Sequence, residues 1–305
     1  MPSLIETLEL TKQFDTLTAV DHLTFTVAEG EILALLGPNG AGKTTTVRML
    51  SSILKPTSGS ACIAGYDVVK DASTVRHIIG HLTEFPGLYL RMRPLDYLAF
   101  FGELQHMPPA ARRARAEALI KQFDLWEARN RRLGEFSKGM RQKMALIRAM
   151  LHAPRVLFLD EPTSAMDPHS AKQVRDAIAL LRGSGHTIVL CTHNLHEAES
   201  LADHIAVIRR GKLIAFGAPA QLKRELLGLP VWRVRLSRPL NQPWPYLNGH
   251  VQIQAQDEWS LSYHTETPEI ANPLLLRKLH ELGAEVVELK QLPHSLEDVY
   301  LKLVQ

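Results

Sequence analysis

Residues 37–45 read Gly37-Pro38-Asn39-Gly40-Ala41-Gly42-Lys43-Thr44-Thr45. The run fits the pattern G-x-x-x-x-G-K-[ST], with Gly37, Gly42, Lys43 and Thr44 at the fixed positions. Glycines at this spacing let the backbone curl so that several N–H groups converge on phosphate oxygens. A helix beginning at the end of the run turns its positive pole toward the same anion. The Lys43 side chain has the reach to meet β- and γ-phosphates, and the Thr44 hydroxyl suits a Mg²⁺ ligand. Pro38, Asn39, Gly40, Ala41 and Thr45 complete the candidate nucleotide-binding set. The flanks agree with this reading. Glu31 to Leu36 is a short apolar run, read as a buried strand, and Thr46 to Leu50 reads as helix.

Composition frames the rest. The chain has 305 residues, 45% apolar and 22% charged, the profile of an ordinary globular protein of about two domains. No window approaches the roughly 18 consecutive apolar residues of a membrane span. The start, Met1-Pro2-Ser3-Leu4-Ile5-Glu6-Thr7, has neither a basic nor an apolar signal region, so a cytosolic location is expected. Two cysteines, Cys62 and Cys191, speak against a disulfide framework. A net charge of +3 does not call for nucleic acid and is compatible with an anionic membrane face. The Arg112-Arg113-Ala114-Arg115 and Arg129-Asn130-Arg131-Arg132 clusters read as a solvated helix face and its following loop.

Along the chain, Ile5 to Val27 alternates as two or three short strands. Ser58 to Gly65 reads as a turn and a strand. From about residue 86 to residue 153 helix formers dominate, notably over Leu95–Leu104 and Ala110–Phe123, which marks a helical insertion. Val156–Asp160 and Thr187–Thr192 are continuous apolar runs, joined through an amphipathic stretch from Ala171 to Leu181, the pattern of parallel strands with a crossover helix. Ile205–Arg209 and Lys212–Phe216 form a hairpin about Arg210-Gly211. After Gly217-Ala218-Pro219 comes a short helix to Leu227. The texture then changes to strands over Val231–Leu236, Val251–Gln254, Trp259–Tyr263 and Glu285–Leu289. Helices run over Pro273–Leu282, closed by Gly283, and Ser295–Leu303, opened by Ser295 and Asp298. This places one large domain at residues 1–217 and a small α+β domain at residues 218–305.

Asp160-Glu161 closes the Val156–Leu159 run. Ligands of parallel sheets lie beyond the carboxyl ends of strands, so Asp160 is placed to hold Mg²⁺ and Glu161 to orient or deprotonate an attacking water.

With these elements in order, the chain resembles the ATP-binding cassette (ABC) ATPases over about residues 4–216. Phe136-Ser137-Lys138-Gly139-Met140-Arg141-Gln142 is similar to the family's signature loop. Leu159-Asp160-Glu161-Pro162-Thr163 precedes Ser164-Ala165-Met166-Asp167-Pro168, which resembles its D-loop, and Cys191-Thr192-His193-Asn194 resembles its switch histidine. The resemblance implies an α/β P-loop NTPase with a mixed, mostly parallel core sheet, an antiparallel β subdomain and a helical insertion. It implies ATP and Mg²⁺ as cofactors, with Phe14 stacking on adenine. Thr44, Glu84 and Asp160 are the implied metal set, and Lys43, Glu161 and His193 the catalytic one. It also implies a homodimer in which Ser137 and Gly139 reach the γ-phosphate bound by the other copy, from a helix starting near Met140.

Two positions depart from the family pattern. Lys138 replaces the first signature glycine, and Glu84 stands where glutamine is usual. Both departures, and the ending Ser295-Leu296-Glu297-Asp298-Val299-Tyr300-Leu301, resemble the exporter branch serving drug, lipid, haem-biogenesis or sodium efflux. The expected function is an ATP-hydrolysing transporter subunit on the cytoplasmic face of the membrane, beneath separate polytopic subunits. The alternative is a soluble ABC ATPase acting on ribosomes or DNA, disfavoured by the single phosphate loop and the lack of sustained heptads. Phe85, Leu88, Tyr89 and Leu90 read equally as an apolar docking surface and as core of the insertion. Because a carboxylate and an amide both offer oxygen to Mg²⁺, Glu84→Gln is expected to keep ATPase turnover within about tenfold, or ~1.4 kcal/mol. A dead Glu84→Gln enzyme in a phosphate-release assay overturns that equivalence.

Overall fold

The computed structural model describes residues 3–304 apart from Pro86, Ala165, Ser184, Asn248, Pro293 and His294. The start of the expected insertion at Pro86 and the Ala165 position of the expected D-loop therefore lie outside the described residues. The chain packs as two compact units, Met1–Pro219 and Ala220–Gln305.

The first unit opens with β1 (Ser3–Phe14) and β2 (Leu17–Ala28), then β3 (Ile32–Leu36) and α1 (Lys43–Leu50). Next come β4 (Ser58–Ile63), β5 (Tyr66–Asp67), α2 (Ala72–Ile78) and β6 (Ile79–Leu82). Three helices follow: α3 (Pro94–Leu104), α4 (Pro109–Gln122) and α5 (Lys138–Met150). The unit finishes with β7 (Val156–Asp160), α6 (Pro168–Gly183), β8 (Thr187–Thr192), α7 (Leu195–Leu201), β9 (His204–Arg209) and β10 (Lys212–Gly217).

Six strands form the central sheet in the order β10-β9-β3-β8-β7-β6. All its neighbouring pairs run parallel except the β9–β10 hairpin. Every residue of β3, β7 and β8 is buried, as expected for strands covered on both faces. Alternate residues feed two different cores. Leu33, Leu35, Val156, Phe158 and Val189 pack with α1 and the antiparallel sheet β2-β1-β4-β5. Ile32, Leu157, Leu159, Ile188 and Leu190 pack instead with α3 to α6. The period of two in the strands thus separates a β-covered face from a helix-covered face.

The N-terminal strands correct the expectation of two or three short ones. Both β1 and β2 are twelve residues long. Register shifts fall between Thr7 and Leu10 and between Leu10 and Lys12, and Glu9 and His22 adopt φ of 51° and 52°. Such bulges break the apolar alternation, so one long strand reads as two short ones. The helices begin where their chemistry dictates. Pro94 and Pro109 sit in the first turns of α3 and α4, where a missing N–H costs nothing. Ser137 caps α5 by accepting the Met140 N–H at 3.2 Å. The helix consequently starts at Lys138, two residues before the position read from sequence. Of the four apolar residues at 85–90, Leu88 packs against the helical core, while Phe85, Tyr89 and Leu90 are exposed.

The second unit begins in α8 (Pro219–Leu227) and continues through β11 (Val231–Leu236), β12 (Gln252–Gln256) and β13 (Ser260–His264). It ends with α9 (Pro268–Glu281), β14 (Val286–Leu292) and α10 (Leu296–Val304). Its antiparallel sheet has the order β12-β13-β11-β14. Val234, Leu236, Leu261, Tyr263, Leu275 and Leu279 form its core. Helix α9 starts at Pro268 and carries Pro273 inside, five residues earlier than the sequence suggests. Ser295 Oγ donates to Asp298 Oδ2 at 2.8 Å and accepts the Asp298 N–H at 3.1 Å, opening α10.

Both cysteines are free. Cys191 is wholly buried in β8, and Cys62 is partly buried in β4 opposite Glu6 and Asp67. Burial pushes both thiols up, and the Asp67 and Glu6 charges add to this at Cys62.

Candidate functional site

The phosphate loop follows directly from β3. Gly42 adopts φ of 108°, and a Cβ there would lie 2.5 Å from the Ala19 carbonyl oxygen, so the loop meets β2 too closely for any side chain. The Ala41 N–H donates to the Pro38 oxygen at 3.1 Å, closing the loop on itself. Thr46 ties the start of α1 back to it, its N–H and hydroxyl both reaching the Gly42 oxygen at 2.9 Å. Lys43 is buried, and its Nζ donates to the carbonyls of Gly37 at 2.7 Å and Pro38 at 3.2 Å.

The register of the central sheet delivers the other groups. Leu36 pairs with Thr192, Asp160 with Cys191, and Leu82 with Leu159. The chain segments leaving β3, β8, β7 and β6 therefore emerge at one end. A cleft of about 470 Å³ opens there. It is lined by Asn39, Gly40, Ala41, Gly42, Lys43, Thr44 and Thr45 of the loop, by Glu84, Glu161, Ser164 and His193, and by Phe14, Leu17 and Ala19. Phe14 is exposed, with the Lys12 ammonium 5.0 Å from its ring centre.

Glu161 sits between two partners. Its Oε2 lies 2.9 Å from His193 Nδ1, and its Oε1 lies 3.7 Å from Lys43 Nζ. It is nearly buried, with φ of 49°, an uncommon backbone region for a residue with a side chain. Its N–H is anchored on the Cys191 carbonyl at 2.9 Å. Beside it, Asp160 Oδ1 is buried without a hydrogen-bond partner. Burial holds the Asp160 carboxyl above its ordinary range; the Thr44 hydroxyl opposes this, and the Glu161 and Glu84 charges reinforce it.

The chemistry of this oxygen set fits a hard divalent cation. Among the described residues no group of three or more His, Cys, Asp or Glu is placed to hold a metal by itself. Mg²⁺ does not need one, since it takes one or two carboxylates and completes its shell with phosphate oxygens and water.

Ser137 and Gly139 are not brought into the cleft. Ser137 caps α5, and Gly139 packs against Ser170 at the start of α6, where a Cβ would come within 3.0 Å of that side chain. Gly37, Pro38 and Asp160 are not among the residues lining the cleft; Gly37 and Asp160 are buried and Pro38 is exposed.

The daunorubicin/doxorubicin resistance ATP-binding protein DrrA of Streptomyces peucetius is 36% identical over 307 residues, covering 98% of this chain and 92% of that protein. The chain belongs to the ABC transporter ATP-binding proteins. A family model described as ABC transporter matches residues 20–164 of this ABC protein. NatA of Bacillus subtilis, an ABC transporter ATP-binding protein, is 40% identical over 201 residues, covering 66% of this chain and 82% of that one. A solved ATP-binding subunit of an ABC transporter superposes with a TM-score of 0.65 at 29% identity, covering 74% of this chain and 94% of that structure. As an ABC ATPase the protein binds ATP and hydrolyses it to power transport. No helix among its described residues is long and apolar enough to cross a membrane.

Two parts of the site were not read from the sequence. One is Glu197 in α7, 1% exposed, whose Oε1 accepts the Thr163 hydroxyl at 2.8 Å and whose carboxyl burial pushes up. The signal was available, because Asn194 and Glu197 have the spacing of a helix-capping pair, and Asn194 Oδ1 accepts the Glu197 N–H at 3.1 Å. The other is Gly211, seen only as a hairpin glycine. Its N–H donates to the Ala41 carbonyl at 2.9 Å and its oxygen accepts the Asp21 N–H at 2.8 Å. The β9–β10 turn thus braces the phosphate loop from behind. Gly211 has φ of 79°, and a Cβ there would lie 3.0 Å from the Ala19 oxygen. Gly211→Ala is therefore expected to weaken ATP binding about threefold to tenfold, near 1 kcal/mol. Calorimetry showing ATP affinity within about twofold of the parent means that the brace does not matter to the loop.

Proposed function

We propose that this chain is the energy-coupling subunit of an ABC exporter, working as a homodimer under separate polytopic membrane subunits. The observation that carries the dimer is the separation of the two phosphate-recognising elements. Lys43, Glu161 and His193 line one cleft, whereas Ser137 and Gly139 lie at the start of α5 and outside it. A head-to-tail pair supplies each cleft with the other copy's α5 N-terminus, a ready site for the γ-phosphate. Such a helix start has exposed N–H donors and a favourable dipole.

In this reading Lys43 and the loop N–H groups hold the β- and γ-phosphates. Thr44, Asp160 and Glu84 hold Mg²⁺, which neutralises phosphate charge when bound. Glu161 orients and deprotonates the attacking water, and His193 holds the Glu161 carboxylate and contacts the γ-phosphate. Phe14 stacks on the adenine. Drug export is the cargo class suggested by the relatives that carry drug resistance in their names. The protein then sits peripherally on the cytoplasmic face of the membrane, and residues 218–305 form an accessory domain of the ATPase.

Glu161→Gln keeps the size of the side chain and removes its basicity. It is expected to lower ATP turnover at least about a hundredfold, the scale of a lost general base, while preserving ATP-dependent dimers in size-exclusion chromatography. Unchanged turnover removes Glu161 from the hydrolytic role, and monomers with ATP remove the dimer. The same variant, incubated with ATP and solubilised membranes of its source cells, is expected to retain a polytopic membrane protein. Recovery of ribosomes or DNA instead transfers the protein to the soluble ABC ATPases.

A further inference from the structure

We propose that Glu197 is a positioning residue for ATP hydrolysis, holding the Glu161–His193 pair in register from behind. The contacts close into a circuit. Glu161 Oε2 meets His193 Nδ1 at 2.9 Å. The next residue, Asn194, accepts the Glu197 N–H at 3.1 Å on its side chain. The Glu197 carboxylate accepts the Thr163 hydroxyl at 2.8 Å. Thr163 is two residues beyond Glu161, which completes the ring. One buried carboxylate thereby joins the segment leaving β7 to the segment leaving β8, and these are the two that carry Glu161 and His193.

Two features make the circuit more than packing. Glu161 has φ of 49°, a strained backbone that persists only where its surroundings over-determine it. Thr163 and the Cys191 carbonyl supply that constraint on either side. Glu197 itself is 1% exposed, and its carboxyl faces the hydroxyls of both Thr192 and Thr163. A buried carboxylate is costly, and an apolar residue there would fill the space at lower cost. Its presence is explained by the Thr163 and Thr192 hydroxyls beside its carboxyl and by the capping bond of its N–H, which fix the first turn of α7 to the ends of β7 and β8.

This inference rests on Glu161 being the hydrolytic residue. The test measures steady-state ATPase kinetics and thermal unfolding for Glu197→Ala, Glu197→Gln, Thr163→Val, Thr163→Ser, the Glu197→Ala/Thr163→Val double variant and Glu161→Gln. Glu197→Ala and Thr163→Val are each expected to lower kcat about tenfold with KM for ATP within about twofold. Glu197→Gln and Thr163→Ser keep an acceptor and a hydroxyl, so they are expected to stay within about threefold of parental kcat. The double variant is expected to be no slower than the worse single one, because the two residues act through one bond. Should Glu197→Ala fail to fold, the Thr163→Val and Thr163→Ser pair decides the question alone. Parental kcat in the Ala and Val variants, a loss confined to KM, additive losses, or failure of the conservative variants to rescue each overturn the proposal. Turnover retained by Glu161→Gln overturns the hydrolytic reading itself. An inactive Glu161→Gln beside a fully active Glu197→Ala overturns only the role of Glu197.

Discussion

The parallel ladder joining β3, β8 and β7 is the constraint on which the site depends. It sets Leu36 level with Thr192, and Asp160 level with Cys191. The phosphate loop, Glu161 and His193 each begin within one or two residues of those pairs. A slip of one residue would turn each strand's side chains to the opposite face. Here that would exchange the residues of the β-covered core with those of the helix-covered core, so burial on both faces locks the register. The precision of the cleft is thus a property of apolar packing several residues away.

Charge in the cleft contributes position more than stability. Lys43 and Glu161 are both nearly buried with 3.7 Å between the charged atoms. Their attraction is about 4 kcal/mol at an effective dielectric of about 20. Removing each ion from water costs several kcal/mol, so the pair roughly breaks even. Asp160 lies in the same low-dielectric corner with Glu161 and Glu84 raising its proton affinity. Three carboxylates against one ammonium make a local excess of negative charge, the kind that a bound divalent cation would offset.

Much of this was legible in the sequence because it is written in local chemistry. The phosphate loop, the buried runs Val156–Asp160 and Thr187–Thr192, and the carboxylate pair at a strand end follow from residue type and spacing. The relatives place the chain in the family that this order of motifs resembles. What escaped has long-range causes. The bulges at Glu9 and His22 disguise two long strands. β6 carries Gly80 and His81 and lacks a clean apolar run, yet it pairs with β7 at the sheet edge. Gly211 lies far along the chain from Ala41, and Glu197 is 34 residues from Thr163. No periodicity reports such bonds, since they exist only after the sheet has formed.

The sulfur atoms have a practical consequence. Reactivity of a cysteine follows its thiolate fraction and its access to solvent. Cys191 has neither, enclosed in β8 between the two cores, and Cys62 is suppressed by burial and by the acidic residues paired beside it. The native chain therefore offers alkylating probes one partly exposed thiol, Cys62, and an enclosed one, Cys191. A thiol introduced at an exposed position outside the candidate site, such as Ser73, has more access to solvent than either. Fluorophores, spin labels or crosslinkers placed there compete chiefly with Cys62.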